Sequence, residues 1–329
     1  MNRRLLLGSA FSSAVLPSVL RAQGGNPGGN WPVRPIRMIV PYPPGGATDV
    51  IARIYADHMG QTLGQPVVIE NRPGASGNIG IDAVAKAAPD GYTVGAGTVS
   101  NFSINQYLYK SVPYDIERDL RPIALGWEFP NIAVVAPNKV PSKTLPEFIA
   151  WAKSRRGGIT YGSTGVGTTT HLSSAMLFSR LGIEAVHVPY RGAAQIQPAL
   201  LSGDIDFAID GVASYQALVE AGQIRALAVT SAERWPTLLT IPTMAEAGIN
   251  DFVVTVWGGF VAPASTPDAV VERLNAALKA TVDDATQRER FARVGAKPVW
   301  TTAADATARA ARERPMWRET IEKSGASAD

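Results

Sequence analysis

Cysteine is absent from this chain of 329 residues, and histidine occurs only three times. Without thiols the chain can form neither disulfide bonds nor a cysteine nucleophile. His58, His171 and His187 are far apart and form no H-E-x-x-H motif or comparable pair that would bind zinc. We therefore expect no metal site, and a packing or hydrogen-bonding role suits His171 better than metal ligation.

Nucleotide-binding and hydrolase signatures are also missing. No G-x-x-x-x-G-K-[ST] sequence occurs, and Gly165-Val166-Gly167 is too short to be a dinucleotide fingerprint, so we expect no cofactor. The stretch YGSTGVG contains Ser163, but it is not the G-x-S-x-G nucleophile elbow. Because catalytic triads assemble in space, a secreted hydrolase or lyase using Ser163 and His171 stays open as the alternative function.

Long apolar runs are confined to the start of the chain. Residues 2–4 include two arginines, residues 5–20 are mostly apolar, and Ala22 offers a small residue for cleavage. This order predicts a secretory signal peptide at residues 1–22, followed by a flexible spacer, QGGNPGGN, at residues 23–30. No later run approaches the roughly 18 apolar residues that span a bilayer, so we expect an exported, soluble protein.

An excess of charge is lacking once this leader is set aside. The chain has 31 Lys and Arg against 28 Asp and Glu, and Arg3, Arg4 and Arg21 fall in the leader, which contains no acid. Cleavage would leave 28 basic against 28 acidic residues. The basic isoelectric point therefore gives no reason to expect nucleic acid or an anionic membrane as a partner.

The rest of the chain alternates regularly between strand and helix patterns, in two sets. Such alternation predicts an α/β protein with mainly parallel sheets, and two sets predict two lobes with a ligand-binding cleft between them. Two long extended segments, 122–138 with Pro130 breaking it midway and 252–263, are predicted to cross between the lobes. The other predicted strands are 36–41, 66–70, 92–98, 159–162, 185–189, 206–210 and 224–231, and the predicted helices are 48–63, 79–88, 144–155, 168–181 and 267–284.

Loops of small residues repeatedly connect a strand to a helix. Examples are PPGGA at 43–47, GTVSNFSIN at 97–105 and GSTGVGTTTHL at 162–172. Glycines let a ligand approach main-chain N–H groups, serine and threonine add neutral donors, and helix N-termini favour an anion. Any one such loop, taken alone, is better explained as a helix cap or a turn. Three of them in an exported, two-lobed chain favour a site that holds a carboxylate without transforming it.

Many ordered motifs give the chain a resemblance to a known family. The stretches VPYPPGGATDVIAR, VIENRPGASGNIG, AAPDGYTV, PYDIERDLRPI, HVPYRGAAQIQPALLSGDIDF and IPTMAEAGI resemble the periplasmic solute-binding receptors of tripartite tricarboxylate transporters, also called Bug receptors. The resemblance runs from about Pro35 to the C-terminal helices. It implies a two-lobed, type II periplasmic-binding fold, with lobe 1 at residues 31–130 and 256–329 and lobe 2 at residues 131–255.

The resemblance also implies a function and partners. Such receptors are not enzymes. They are expected to be monomers that close on a small carboxylate and deliver it to the integral-membrane subunits of a transporter of this type, or to a signalling partner. The family's ligand-binding positions correspond here to Pro44, Gly45, Gly46, Ala47, Thr98, Ser100, Asn101, Ser163, Gly165, Gly167, Thr168, Tyr190, Arg191, Gly192 and Asp210.

Two departures from the family pattern affect the expected ligand. Gly211-Val212-Ala213-Ser214 stands where relatives often have an asparagine after the strand-end aspartate. Together with the aliphatic STGVG, this predicts a less polar distal pocket and argues against an amino-acid ligand. Trp127 and Phe129, at the first crossing, are compatible with an aromatic ligand or with hinge packing.

Overall fold

The computed structural model describes residues 30–328. The predicted signal peptide and all but the last residue of the predicted spacer lie outside the described residues. The described chain contains ten strands: β1 Ile36–Val40, β2 Val67–Asn71, β3 Thr93–Thr98, β4 Leu120–Val135, β5 Ile159–Ser163, β6 Ala185–Pro189, β7 Phe207–Gly211, β8 Arg225–Val229, β9 Thr255–Pro263 and β10 Lys297–Pro298.

Ten α-helices alternate with these strands. Two short turns of other helix types also occur, a 3₁₀ turn at Ala75–Gly77 and a π-helical turn at Ser100–Ile104. The α-helices are α1 Ala47–Leu63, α2 Asn78–Ala85, α3 Asn105–Leu108, α4 Leu145–Ser154, α5 Thr169–Leu181, α6 Ala193–Ser202, α7 Val212–Glu220, α8 Asp268–Asp283, α9 Ala285–Arg293 and α10 Ala303–Ser324. The predicted α/β alternation is therefore confirmed. None of the described helices is both long and apolar enough to cross a membrane.

The strands form two sheet regions joined through β4. In the first, β2, β1 and β3 are parallel, and β9 lies antiparallel between β3 and the first half of β4. In the second, β7, β5 and β6 are parallel, and β7 and β8 are antiparallel to the second half of β4. The change of partner falls between Pro130, which pairs with Thr255, and Asn131, which pairs with Gly211.

Pro130 does not break this strand, contrary to prediction. β4 runs through Pro130 without interruption and is 16 residues long in total. A proline lacks the N–H that a central strand needs, but at this position the strand leaves one partner and joins the next. The second crossing segment is shorter than predicted, because β9 begins only at Thr255. Before it, Val254 N donates to Thr230 O on the side of the second sheet.

The strand ends from both sheets meet at this crossing. Thr98, at the end of β3, pairs with Gly258 near the start of β9, and β9 begins beside Pro130. Gly211, at the end of β7, pairs with Asn131. The carboxyl ends of parallel strands share an edge, so the loops after β1, β2 and β3 face those after β5, β6 and β7 across the crossing. Ligands bind at such edges in α/β proteins.

The apolar core continues from one sheet to the other. One core cluster, on one face of the first sheet, contains Met38, Tyr55 and Phe260. Another includes Trp257 of the first sheet and Phe207 of the second. Helix α10 packs against both β4 and α5, so it touches elements on both sides of the crossing. The exact residue boundaries of the two lobes remain a prediction.

Candidate functional site

The first loop, residues 41–46, leads from β1 to the start of α1. Pro44, Gly45, Gly46 and Ala47 are all exposed on its surface. Gly45 adopts φ +80°, which a residue with a Cβ rarely tolerates, whereas Gly46 has an ordinary φ of −73°. A Cβ at Gly46 would meet only the Pro43 carbonyl oxygen, at 3.4 Å. Glycine is therefore required by the backbone at the first position and leaves space open at the second.

A buried carboxylate holds this loop in place. Gly45 N donates to Asp49 Oδ2 (2.8 Å), Asn71 Nδ2 donates to Asp49 Oδ1 (2.8 Å), and the Arg53 guanidinium donates to both oxygens (3.0 Å each). Burial alone would raise the pKa of Asp49, but the hydrogen bonds from Arg53, Gly45 and Asn71 outweigh it and lower the pKa. The Gly45 N–H is therefore occupied, and Asp49 anchors the loop.

The free donors of this loop lie one residue further on. The first intrahelical bond of α1 runs from Val50 N to Gly46 O (3.0 Å). The N–H groups of Ala47, Thr48 and Asp49 therefore have no helical partner, and no side chain caps the helix. These N–H groups, at the positive end of a 17-residue helix, are suited to hold an anion.

The loop after β3 is largely satisfied by its own hydrogen bonds. Tyr42 Oη lies 2.6 Å from Thr98 Oγ1 and donates to Asn101 Oδ1 (3.2 Å). Asn101 Oδ1 also accepts from Thr98 N, and its Nδ2 donates to Ser76 O (3.0 Å). Burial raises the pKa of Tyr42 to about 12, so its hydroxyl stays protonated. Thr98 and Asn101 therefore fix the loop, and Ser100 is the more exposed of the three predicted residues.

A third loop of the first sheet also lies at this edge, at residues 74–77 after β2, and the predicted site does not include it. Ala75 (φ +47°) and Ser76 (φ +51°) both adopt the left-handed conformation between two glycines with positive φ. Ser76 O accepts hydrogen bonds from Asn101 and Asn105. Strained backbone of this kind clusters at ligand sites. The signal in the sequence is the run of small residues in PGASG, within a motif already noted for its family resemblance.

In the second sheet, the loop after β5 is closed by internal hydrogen bonds. Thr164 N donates to Thr170 Oγ1 (2.9 Å), and Thr168 Oγ1 donates to Gly165 O (2.7 Å). Thr168 also caps α5 by accepting from His171 N. Gly167, with φ +73°, lies so close to Leu108 of α3 that an added Cβ would overlap that side chain. Gly167 thus permits contact between elements on opposite sides of the crossing.

Ser163 contacts His187 and not His171, which corrects the pairing of the alternative hydrolase hypothesis. Ser163 Oγ lies 2.6 Å from His187 Nε2, while His171 Nδ1 accepts from Gly167 N (3.1 Å). Ser163 is completely buried. Among the described residues, the only histidine with a carboxylate neighbour is His58, beside Asp284. A serine nucleophile needs access to substrate and a group that orients its base, and Ser163 has neither here.

The two imidazoles stack on one another inside this lobe. The rings of His171 and His187 are 3.8 Å apart and nearly parallel, and Tyr161 stacks against both. Burial lowers the pKa of each histidine to about 4, and the charge of His187 adds to the effect on His171. Both rings are therefore neutral near pH 7 and act as flat packing groups under the loop.

The loop after β6, like the first loop and unlike the loop after β5, leads to a helix start without a side-chain cap. Tyr190 N donates to Ser163 O (2.9 Å), which places Tyr190 beside the β5 loop. Arg191 is exposed, and its N–H donates to Gln195 Oε1 (2.9 Å). Gly192 begins α6 without a side-chain cap. A cationic side chain and a second uncapped helix start therefore lie together on this side of the crossing.

Asp210, at the end of β7, is almost fully buried. Its Oδ1 accepts from Gly211 N (2.7 Å), and its Oδ2 accepts from Tyr215 Oη (3.2 Å). Burial raises its pKa to about 6, against the smaller opposing effect of these hydrogen bonds. Asp210 therefore shapes the turn into α7 from within the lobe.

The two aromatic residues near the first crossing have different surroundings. Trp127 is completely buried and packs edge-on against Phe260, so it belongs to the core. Phe129 is half-buried and packs against core clusters of both sheets. A Cβ on Gly211 would lie 3.8 Å from its ring. Phe129 is therefore the one positioned at the junction between the lobes.

Most helix starts at this edge have no side-chain cap. α1, α2, α6 and α7 each follow a glycine and have no side-chain cap. Of the helices that do not follow these strand ends, α4, α9 and α10 are capped by Thr144, Asp284 and Thr302, whereas α8, which follows Pro267, is uncapped. α5, capped by Thr168, is the exception at the edge. In the part of the chain that the structure describes, no group of three potential metal ligands occurs.

Two sheet regions joined by crossing strands, with uncapped helix starts around the junction, define a two-lobed solute-binding protein. Comparison with known proteins gives the family. Residues 51–326 match the model of the tripartite tricarboxylate transporter family receptor, TctC. The chain belongs to this family, and it is a solute-binding receptor and not an enzyme.

Individual relatives agree over nearly the whole chain. Protein BugT of Bordetella pertussis is 35% identical over 90% of this chain and 91% of its own length. An R. palustris protein solved with adipate has 34% identity and a TM-score of 0.81, covering 90% of this chain and 99% of that one. MatC from Rhodopseudomonas palustris, solved with bound malate, has 30% identity and a TM-score of 0.77, covering 88% and 100%. The predicted family and the periplasmic-binding-protein fold are confirmed.

Proposed function

We propose that this receptor captures a small carboxylate between its two lobes in the periplasm and delivers it to the integral-membrane subunits of a tripartite tricarboxylate-type transporter. The observation that carries the proposal is the uncapped start of α1 beside the exposed Gly46. Asp49 fixes the loop before this helix start by accepting from Gly45 N, and it leaves the first N–H groups of α1 without a side-chain partner. One carboxylate of the ligand binds there by charge-assisted hydrogen bonds.

The opposite side of the cleft supplies a second anchor. Arg191 is exposed beside the uncapped start of α6, and Gly165 of the neighbouring loop lies close to Tyr190 O, next to Arg191. A guanidinium recognises a carboxylate in a bidentate fashion. Two anion sites on opposite lobes favour a dicarboxylate, in keeping with the adipate and malate in the two solved relatives.

The predicted site residues divide into two groups under this proposal. Contact with the ligand is assigned to Pro44, Gly46, Ala47, Ser100, Gly165, Tyr190, Arg191 and Gly192. Support of those contacts is assigned to Gly45, Thr98, Asn101, Ser163, Gly167, Thr168 and Asp210, whose polar groups or packing are used within the protein.

Calorimetric titration with adipate, malate and the diamide adipamide tests the proposal. We expect an acid to bind and adipamide to bind at least about tenfold more weakly, because each charge-assisted hydrogen bond becomes a neutral one. Small-angle scattering should show a smaller radius of gyration with the bound acid, since the lobes close. Equal affinity for the acid and the diamide would contradict a carboxylate site.

A further inference from the structure

A separate cavity of about 370 Å³ lies between the first sheet and α10. Its walls are mostly apolar, with Glu117, Thr307 and Arg314 as the polar members, and Phe102 is the only residue that it shares with the loops of the cleft. Its walls include Phe102, Leu125, Trp257, Val261, Ala306 and Ala310.

Small residues on α10 leave this space open. Ala306, Ala310 and Arg314 are spaced four residues apart, so they lie on one face of the helix, and all three line the cavity. Protein interiors are normally close-packed, so a space of this size with mostly apolar walls can receive the apolar part of a ligand. The volume lies in the range of small-molecule pockets, about 300–1,000 Å³.

One cation stands at the edge of these apolar walls. The Arg314 side chain is only 15% exposed, and its guanidinium pairs through Nη1 with Glu117 Oε1. Its Nε is buried and has no hydrogen-bond partner. A buried guanidinium N–H left unpaired is costly, so this atom calls for an acceptor.

Glu117 is placed so that it can yield to another carboxylate. Its side chain is 63% exposed, so it can turn into water at little cost. Its backbone is fixed, because Glu117 N and Arg118 N both donate to Asp115 Oδ1. A ligand carboxylate at Arg314 would engage Nε and Nη together, as a bidentate pair that Glu117 does not provide.

We propose that this cavity is a second binding site, for a monocarboxylate with an unbranched apolar chain such as a medium-chain fatty acid. The carboxylate binds Arg314 at the mouth, and the chain lies against Leu125, Trp257 and the alanines of α10. A dicarboxylate is excluded, because its second charge would be buried among apolar walls without a partner. The two sites thus differ in chemistry: backbone N–H groups in the cleft, and one guanidinium over an apolar chamber here.

Calorimetric titration of octanoate into the full protein, with saturating adipate present, tests the site independently of the cleft. We expect octanoate to bind wild type and Gly46→Val alike. Ala306→Leu, which fills the cavity, should abolish the heat, whereas Ala308→Leu, at an exposed position of the same helix, should retain it. Arg314→Leu should weaken binding at least about tenfold, and Glu117→Gln should not weaken it.

Two results would overturn the proposal. One is the absence of any octanoate heat from wild-type protein at millimolar concentration. The other is an octanoate affinity that survives Ala306→Leu but is lost in Gly46→Val, which would place the acid in the cleft. Circular dichroism of each variant separates loss of binding from loss of fold.

Discussion

The loops that face each other across the cleft look alike in sequence but differ in how their polar groups are used. In the first lobe, PPGGA leaves a helix start uncapped and all five of its residues exposed. In the second lobe, Ser163, Thr164 and Thr168 use their polar groups in hydrogen bonds within the protein, and Thr168 also caps α5. The first loop therefore keeps donors available, whereas the second uses them for its own structure.

This difference assigns separate tasks to similar glycines. Gly46 has an ordinary backbone conformation, and a Cβ there would meet only Pro43 O, so under the proposed function its lack of a side chain leaves room for a ligand. Gly167 has a positive φ and lies against Leu108, so its lack of a side chain serves packing across the crossing. Substitution at the first should cost binding, and substitution at the second should cost stability.

The largest effect is expected for Gly167→Val. Overlap with Leu108 and the left-handed backbone together should lower the free energy of unfolding by about 2–5 kcal/mol. Gly182→Val is the matched control, because Gly182 also has a positive φ but has open space around it. Denaturant unfolding of both variants gives the comparison. Equal losses would mean that Leu108 contributes nothing and that only backbone strain matters.

Asp49→Ala should have an intermediate effect. It removes the acceptor of Gly45 N, Asn71 and Arg53, and we expect a loss of about 1–3 kcal/mol in stability together with weaker acid binding. Asp57→Ala on the same helix breaks only an exposed pair with Arg290, which should cost at most about 1 kcal/mol. Thermal unfolding and adipate titration measure both consequences. If the two variants behaved alike, Asp49 would not be the anchor of the loop.

The smallest predicted effect concerns pH and the second loop alone. The folded-state pKa values of His171 and His187 are lowered to about 4, below the ordinary 6.5. At these two histidines the unfolded chain therefore binds protons in this interval that the folded chain does not, so their contribution to stability is complete above about pH 6.5 and falls towards pH 4. Because His187 is half-buried and screened by water, we expect the two histidines to lower the free energy of unfolding by only about 1–2 kcal/mol between pH 7 and pH 5.

His171→Phe tests this pH dependence, since it keeps a flat ring in the stack but cannot bind a proton. Denaturant unfolding at pH 7 and pH 5 gives, for wild type and for the variant, the slope of the free energy of unfolding against pH. The variant should lose less stability on acidification than wild type. An unchanged slope would show that the stacked histidines do not control the acid response.

Much of the fold follows from local patterns in the sequence. The strand predicted at 185–189 is β6 with the same bounds, and the helix predicted at 48–63 is α1 within one residue. In both cases the hydrophobic periodicity and the flanking small residues are local features of the sequence, which are enough to predict the element. The prediction that Pro130 breaks its strand is wrong because the effect of this proline depends on a change of strand partners, which only the tertiary structure defines.

The site was predicted less completely, for reasons of partner choice. Tyr42 forms hydrogen bonds with the side chains of Asn101 and Thr98, and His187 forms one with Ser163, 24 positions away in the chain. Such pairings come from strand register, which composition and spacing do not reveal. The cavity beneath α10 is likewise a property of packing, because the space depends on how α10 and the first sheet meet and not on the alanines of α10 alone.

The central claim is that Gly46 and the start of α1 hold the ligand's carboxylate, and calorimetric titration of adipate into Gly46→Val tests it most directly. With φ at −73° and only Pro43 O nearby, the substitution should leave the fold intact, as circular dichroism would show. We predict an affinity at least about tenfold weaker than wild type, a loss of about 1.4 kcal/mol or more, because the valine side chain occupies the ligand's place. A folded Gly46→Val protein that binds adipate with wild-type affinity would contradict the account.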